Sequence, residues 1–152
     1  MSQEPKTDRT LRITPRDLEA IRRQAREGYP NECCGLLTGR AGEHREVQAV
    51  HPAENIADPP RDRYHLNPVD HFRVQKSCRG QPWEIIGFYH SHPDYPSRPS
   101  QTDVGQAWAD YSYLIVSVVG GEVERITSWF FNGQLQRFEE ERIIVEEVGP
   151  DR

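Results

Sequence analysis

The stretch from Trp83 to Asp103 constrains this chain more than any other. Trp83 to Tyr89 is a largely apolar run that reads as a buried strand, and His90 and His92 close it. Side chains two apart on a strand point to one face, so both imidazoles can converge on a single point. Pro93 cannot donate to a ladder and ends the strand, while Pro96 and Pro99 stiffen the segment that follows. Ser100 then opens a helix whose first turn brings Asp103 back towards the strand end. A strand end, a stiff turn and a helix start must therefore meet in one place.

Two histidines and one carboxylate make a three-ligand set suited to a catalytic zinc with one open position. Ser100-Gln101-Thr102-Asp103 also fits a helix N-cap, a hydroxyl followed three residues later by an acid. The two readings are compatible, because a capping serine can still face a metal. Ser100 as a nucleophile lacks an evident dyad. Cys33 or Cys34 as a nucleophile, with His90 as base, would leave Asp103 and the His-x-His geometry unexplained.

Along the chain, Leu11 and Ile13 suggest a short first strand. Thr14-Pro15-Arg16-Asp17 is a helix start, with Leu18, Ile21 and Ala25 on one face and Gly28 as a left-handed stop. Glu32 stands at the mouth of a strand from Cys33 to Thr38, in which Gly35 permits a close backbone approach. By itself Glu32 reads as a solvated edge charge. Gly39 to Glu43 connects to a return strand at Val47 to Val50. His51 to Arg63 has no periodic apolar face and is either a surface excursion or a substrate-facing loop. Tyr64 to Leu66 suggests a brief strand, and Asn67-Pro68-Val69-Asp70 a second helix ending near Gly80. His44, His51, His65 and His71 lack partners at ligand spacing and read as solvated or structural. Beyond Asp103 the helix is expected to run to Asp110, with Trp108 as a core anchor. Tyr111 to Val119 must be a buried strand, followed by a Gly120-Gly121 hairpin and an alternating strand from Val123 to Phe131. Asn132-Gly133 predicts a type I′ turn into a strand at Gln134 to Phe138, with a last strand at Ile143 to Val145.

A chain of 152 residues fits one domain with a real core. Its net charge of −5 and lack of a basic block argue against a nucleic-acid partner. No stretch approaches the roughly 18 apolar residues of a membrane span, and Met1 to Thr10 has no apolar centre. A cytoplasmic location is expected, with Cys33, Cys34 and Cys78 as free thiols. The organisation expected is a flexible segment over residues 1–10, a domain over 11–147 and a tail over 148–152.

The order His90-x-His92-Pro93, Ser100 and Asp103 resembles the signature of the JAMM (MPN-plus) metalloprotease family, here its short single-domain prokaryotic members. Asn31 to Gly39 is similar to that family's upstream glutamate and glycine-containing strand, and the likeness runs in order from about Leu11 to Val145. The resemblance implies an α/β fold, the three-layer α/β/α cytidine-deaminase-like domain with a mixed central sheet. It implies one zinc ion on His90, His92 and Asp103, Glu32 as general base and acid, and Ser100 as oxyanion donor. It further implies hydrolysis of a peptide or isopeptide bond after the C-terminal Gly-Gly of a ubiquitin-like β-grasp sulfur carrier of ThiS/MoaD type. A non-catalytic MPN-type scaffold is the alternative. The sequence leaves oligomeric state open between monomer and homodimer.

Overall fold

The computed structural model describes residues 8–147. Residues 1–7 of the expected N-terminal segment and the whole expected tail, 148–152, lie outside that range. The elements run β1 (Thr10–Ile13), α1 (Pro15–Gly28), β2 (Cys34–Arg40), β3 (His44–Ala53), α2 (Pro68–Ser77), β4 (Glu84–Pro93), α3 (Gln101–Gln106), β5 (Ser112–Val119), β6 (Glu122–Asn132) and β7 (Arg137–Val145). Among the described residues no helix is long and apolar enough to cross a membrane.

The strands lie in the order β1-β3-β2-β4-β5-β6-β7, and β7 pairs back onto β1. The sheet is mixed: β4 with β5, β1 with β3 and β1 with β7 are parallel, and the other pairs antiparallel. Adjacent residues of the central strands serve two cores, because successive side chains alternate between faces. Leu37, Tyr89 and Leu114 pack with Leu18, Ile21 and Ala25 of α1. Leu36, Phe88 and Tyr113 pack with Val74 of α2 and with Phe131. Thus α1 and α2 each cover one face.

The three-layer α/β/α expectation is modified by β1. This four-residue strand pairs on both sides, so the mixed sheet closes into a barrel rather than standing open between two helical layers. The closure is short, since β1 pairs with only His44, Arg45 and Glu46 of β3 and with Arg142 to Val145 of β7.

Several local expectations hold. Thr14 caps α1, accepting the Asp17 N–H at 3.1 Å, with Pro15 at the first position. Asn67 caps α2 by accepting the Val69 N–H at 2.9 Å. Gly120 and Gly121 both take positive φ, 57° and 88°, as a tight hairpin between right-twisted strands demands.

Others are corrected. Gly28 is the last helical residue, and the chain leaves α1 through Tyr29 at φ −54°, ψ 135°, with no left-handed stop. Gly35 accommodates the Tyr89 ring, which a Cβ would overlap, rather than a neighbouring backbone. α3 stops at Gln106, and Trp108 beyond it is half-exposed instead of anchoring the core. Asn132-Gly133 does not form a type I′ turn: the positive φ falls at Gln136, and the Asn132 side chain accepts the Gln134 and Leu135 N–H groups. The two late strand segments are one strand, β7, which begins at Arg137.

Candidate metal centre

The last residues of β4 carry the site. Register with β2 sets Cys34 opposite His90, and parallel pairing with β5 sets His92 beside Ser117. His90 and His92 are fully buried. Their Nε2 atoms are 3.1 Å apart and both face Asp103, at 3.2 Å from Oδ1 and 3.1 Å from Oδ2. The strand, the turn and the helix start do meet, as the spacing predicts.

Ser100 and Asp103 form a reciprocal cap at the start of α3. The Ser100 hydroxyl accepts the Asp103 N–H at 3.1 Å, and Asp103 Oδ2 accepts the Ser100 N–H at 2.8 Å. The cap therefore fixes the third member of the triad. An accepting hydroxyl keeps its own O–H free to donate.

His92 Nδ1 lies 2.7 Å from the Pro96 carbonyl oxygen. A carbonyl only accepts, so Nδ1 carries the proton, and in neutral imidazole Nε2 then holds a lone pair. That lone pair points at another ring nitrogen and at a carboxylate, an arrangement of electron-rich atoms that a shared cation stabilises. His90, His92 and Asp103 each offer a ligand atom, all within 4.8 Å of one another. His90 Nδ1 is buried with no hydrogen-bond partner among the described residues. Two imidazoles and a carboxylate are the donor set of a catalytic zinc site. The residues fit a divalent metal.

Electrostatics agree. Burial lowers the pKa of His90, which favours the neutral, ligating form. Burial alone would raise Asp103, but hydrogen bonds from His90 and His92 outweigh it and hold the carboxyl well below its usual range. Glu32 is 4% exposed, and its burial pushes the carboxyl up to about 7, despite the opposing hydrogen bond from Tyr95. Glu32 is thus a buried acid beside the triad, not the solvated edge charge it resembles in isolation.

Four residues that sequence reasoning did not single out hold this arrangement. Ser91, between the histidines, accepts the Cys33 N–H at 2.8 Å on its hydroxyl and donates its own N–H to the Cys33 carbonyl at 3.1 Å. Tyr95 donates its hydroxyl to Glu32 Oε2 at 2.8 Å and stacks its ring on His92, centroids 4.2 Å apart at 19°. Tyr64 stacks on His90 at 4.4 Å and 22°. Asn55 donates to the Glu32 carbonyl at 3.0 Å and to the Arg63 carbonyl at 3.1 Å, while its oxygen accepts the Ala57 and His65 N–H groups. The Glu32 N–H in turn donates to the Pro60 carbonyl at 2.8 Å. The irregular segment after β3 is therefore tied to the backbone of Glu32. Only the prolines around Tyr95 hinted at this; the other three have no local signal.

The remaining histidines and thiols stay outside. His44 bonds Thr10 at 3.0 Å, and His51 bonds Thr38 at 2.9 Å. Burial pushes Cys33 up to about 11 and Cys34 up to about 12, so both remain thiols and pack in the interior.

Comparison with known proteins places the chain in a family. A desampylase of Haloferax volcanii is 37% identical over 133 residues, 84% of this chain and 91% of that protein. A probable TtuB-protein conjugate cleaving protease of Thermus thermophilus is 31% identical over 103 residues, 68% of this chain and 67% of that protein. The solution structure of a Desulfitobacterium hafniense protein superposes with a TM-score of 0.80 at 31% identity, over 93% of this chain and 97% of that one. The profile described as prokaryotic homologs of the JAB domain matches residues 14–132, and the chain belongs to that family.

Proposed function

We propose that this chain, through a catalytic domain over residues 11–147, is a zinc-dependent protease and isopeptidase. It cuts after the C-terminal Gly-Gly of a ubiquitin-like β-grasp sulfur carrier, in the cytoplasm. The observation that carries the reading is the convergence of His90, His92 and Asp103 within 4.8 Å, beside a buried Glu32. Relatives named for removing small ubiquitin-like modifiers support the substrate class.

His90, His92 and Asp103 would hold one zinc ion. When bound, zinc supplies Lewis acidity, which acidifies water and polarises a carbonyl. Glu32 takes the proton of the attacking water and returns it to the leaving amine, work suited to a carboxyl that titrates near neutrality. Tyr95 occupies Oε2 of Glu32, which leaves Oε1 to receive the proton. Ser100 donates its O–H to the carbonyl oxygen as negative charge builds there, an interaction of the kind that lowers a barrier by about 3 kcal/mol. His92 keeps its ligating tautomer through the Pro96 carbonyl.

The test is metal content together with cleavage. Purified protein should hold one equivalent of zinc and shorten a β-grasp carrier extended beyond Gly-Gly, read by intact mass. An unchanged mass with zinc bound rejects the enzyme and leaves a scaffold.

A further inference from the structure

Next to the metal centre lies a cavity of about 390 Å³ that the proposed reaction does not use. Its walls include Tyr64, Leu66, His71, Phe88, Trp108 and Tyr113, and none of its lining residues is Asp, Glu, Lys or Arg. The volume sits at the lower end of ligand pockets, room for one large side chain rather than a cofactor. Burial lowers the pKa of His71, so this wall is neutral near pH 7. Edge-to-face contacts of Phe88 with Trp108 (5.6 Å) and with His71 (5.7 Å) preform the walls. Trp108 keeps half its surface in solvent, and α2 beside it leaves Val69 and Phe72 exposed.

Strand geometry fixes the cavity's distance from the reacting bond. Phe88, His90 and His92 share one face of β4, so the Phe88 wall lies two residues, about 7 Å, from the first ligand. Tyr64 spans the gap, lining the cavity and stacking on His90. An extended substrate also advances about 3.5 Å per residue. A side chain that reaches the cavity therefore belongs to a residue one or two places from the scissile bond. On the carrier side those two places are glycines, which have nothing to insert. The leaving side remains.

We propose that this cavity is a specificity subsite for the first apolar side chain on the leaving-group side, so that the enzyme favours an aromatic or large aliphatic residue directly after Gly-Gly. The inference rests on the hydrolase reading above.

The probes are a β-grasp carrier fused through Gly-Gly to a short peptide that begins with Phe, Leu, Ser or Asp, and a second series varied just before Gly-Gly. Zinc-loaded protein should cleave the Phe and Leu fusions with kcat/KM on the order of tenfold or more above Ser, as burial of a large apolar side chain predicts. Asp should be worst. Trp108→Ala should collapse the Phe-to-Ser ratio to within about threefold of unity. Equal rates across the first series, or a preference that follows the residue before Gly-Gly, overturn the subsite while leaving the hydrolase intact. Failure to cleave any fusion overturns the hydrolase itself. A separate reading needs no turnover: a free peptide beginning with Phe should shift the Trp108 indole resonance and one beginning with Ser should not. Absence of that shift overturns the subsite whatever the activity.

Discussion

Among the described residues, two buried clusters of acidic, basic and imidazole side chains are built on opposite plans. At the seam between β3 and the starts of β4 and β5, Arg45 is 5% exposed and gives every arm to a carbonyl: Nε to Gly42, Nη1 to Ile86 and Nη2 to Asp110. Its ring neighbour is Phe130, and its electrostatic partner is the buried Glu141, which accepts from Ser128 at 2.7 Å. At the candidate metal centre, His90, His92 and Asp103 instead turn their polar atoms on one another, and the Glu32 side chain is held by a single phenol. Arg45 spends its donors on holding strands together. The His90, His92 and Asp103 cluster aims its donor atoms at one point, where they could hold a metal ion. Burial of charge marks function only where the hydrogen-bonding capacity is left facing inward on a common point.

That contrast is breakable. Asp103→Ala should abolish zinc binding and activity together while the purified chain stays folded, as metal analysis and circular dichroism would report; retained zinc would refute the ligand assignment. Glu32→Gln should keep the zinc and lose on the order of 10³-fold in kcat, the scale of a missing general base. At the other cluster, Arg45→Met should leave its carbonyl partners unpaired and destabilise the fold by about 3–5 kcal/mol. Zinc per folded molecule should not change, and calorimetry beside metal analysis separates the two effects.

Glu32 also sharpens the comparison through pH. Its carboxyl is raised from 4.5 to about 7 by burial, so the folded chain holds a proton there that the unfolded chain releases. The stability this group contributes is full below pH 4.5 and is lost as pH rises through 7. Metal-free Glu32→Gln should therefore gain on wild type between those values, by at most on the order of 3 kcal/mol, in denaturant titrations at pH 4.5 and 8. A constant difference at both pH values would show that Glu32 is not buried as a neutral acid. The smallest effect is expected from Tyr95→Phe, which keeps the ring on His92 but removes the bond to Glu32. It should lower kcat by about tenfold with zinc content unchanged.

The barrel shares this division between local and distant causes. The caps at Thr14, Asn67 and Ser100 and the Gly120-Gly121 hairpin are legible because each involves residues within a few positions of one another. Asn132-Gly133 misled for a complementary reason. Its local preference for a two-residue turn was overridden, and Gly133 instead packs closely against Ala109 from another segment. Trp108 misled likewise, since a large apolar residue after a helix reads as core until the helix is seen to end early.

The sequence by itself determined that His90, His92 and Asp103 meet and that Ser100 caps α3, because two residues on one strand face and an acid in the next helical turn meet through local geometry alone. It also determined most strands, through periodicity. Only the tertiary structure decided that β1 closes the sheet between β3 and β7, and that Glu32 is buried and gripped by Asn55, Pro60 and Tyr95. Those contacts join segments tens of residues apart, and a carboxyl's proton affinity depends on everything packed around it, which no stretch of neighbouring residues encodes.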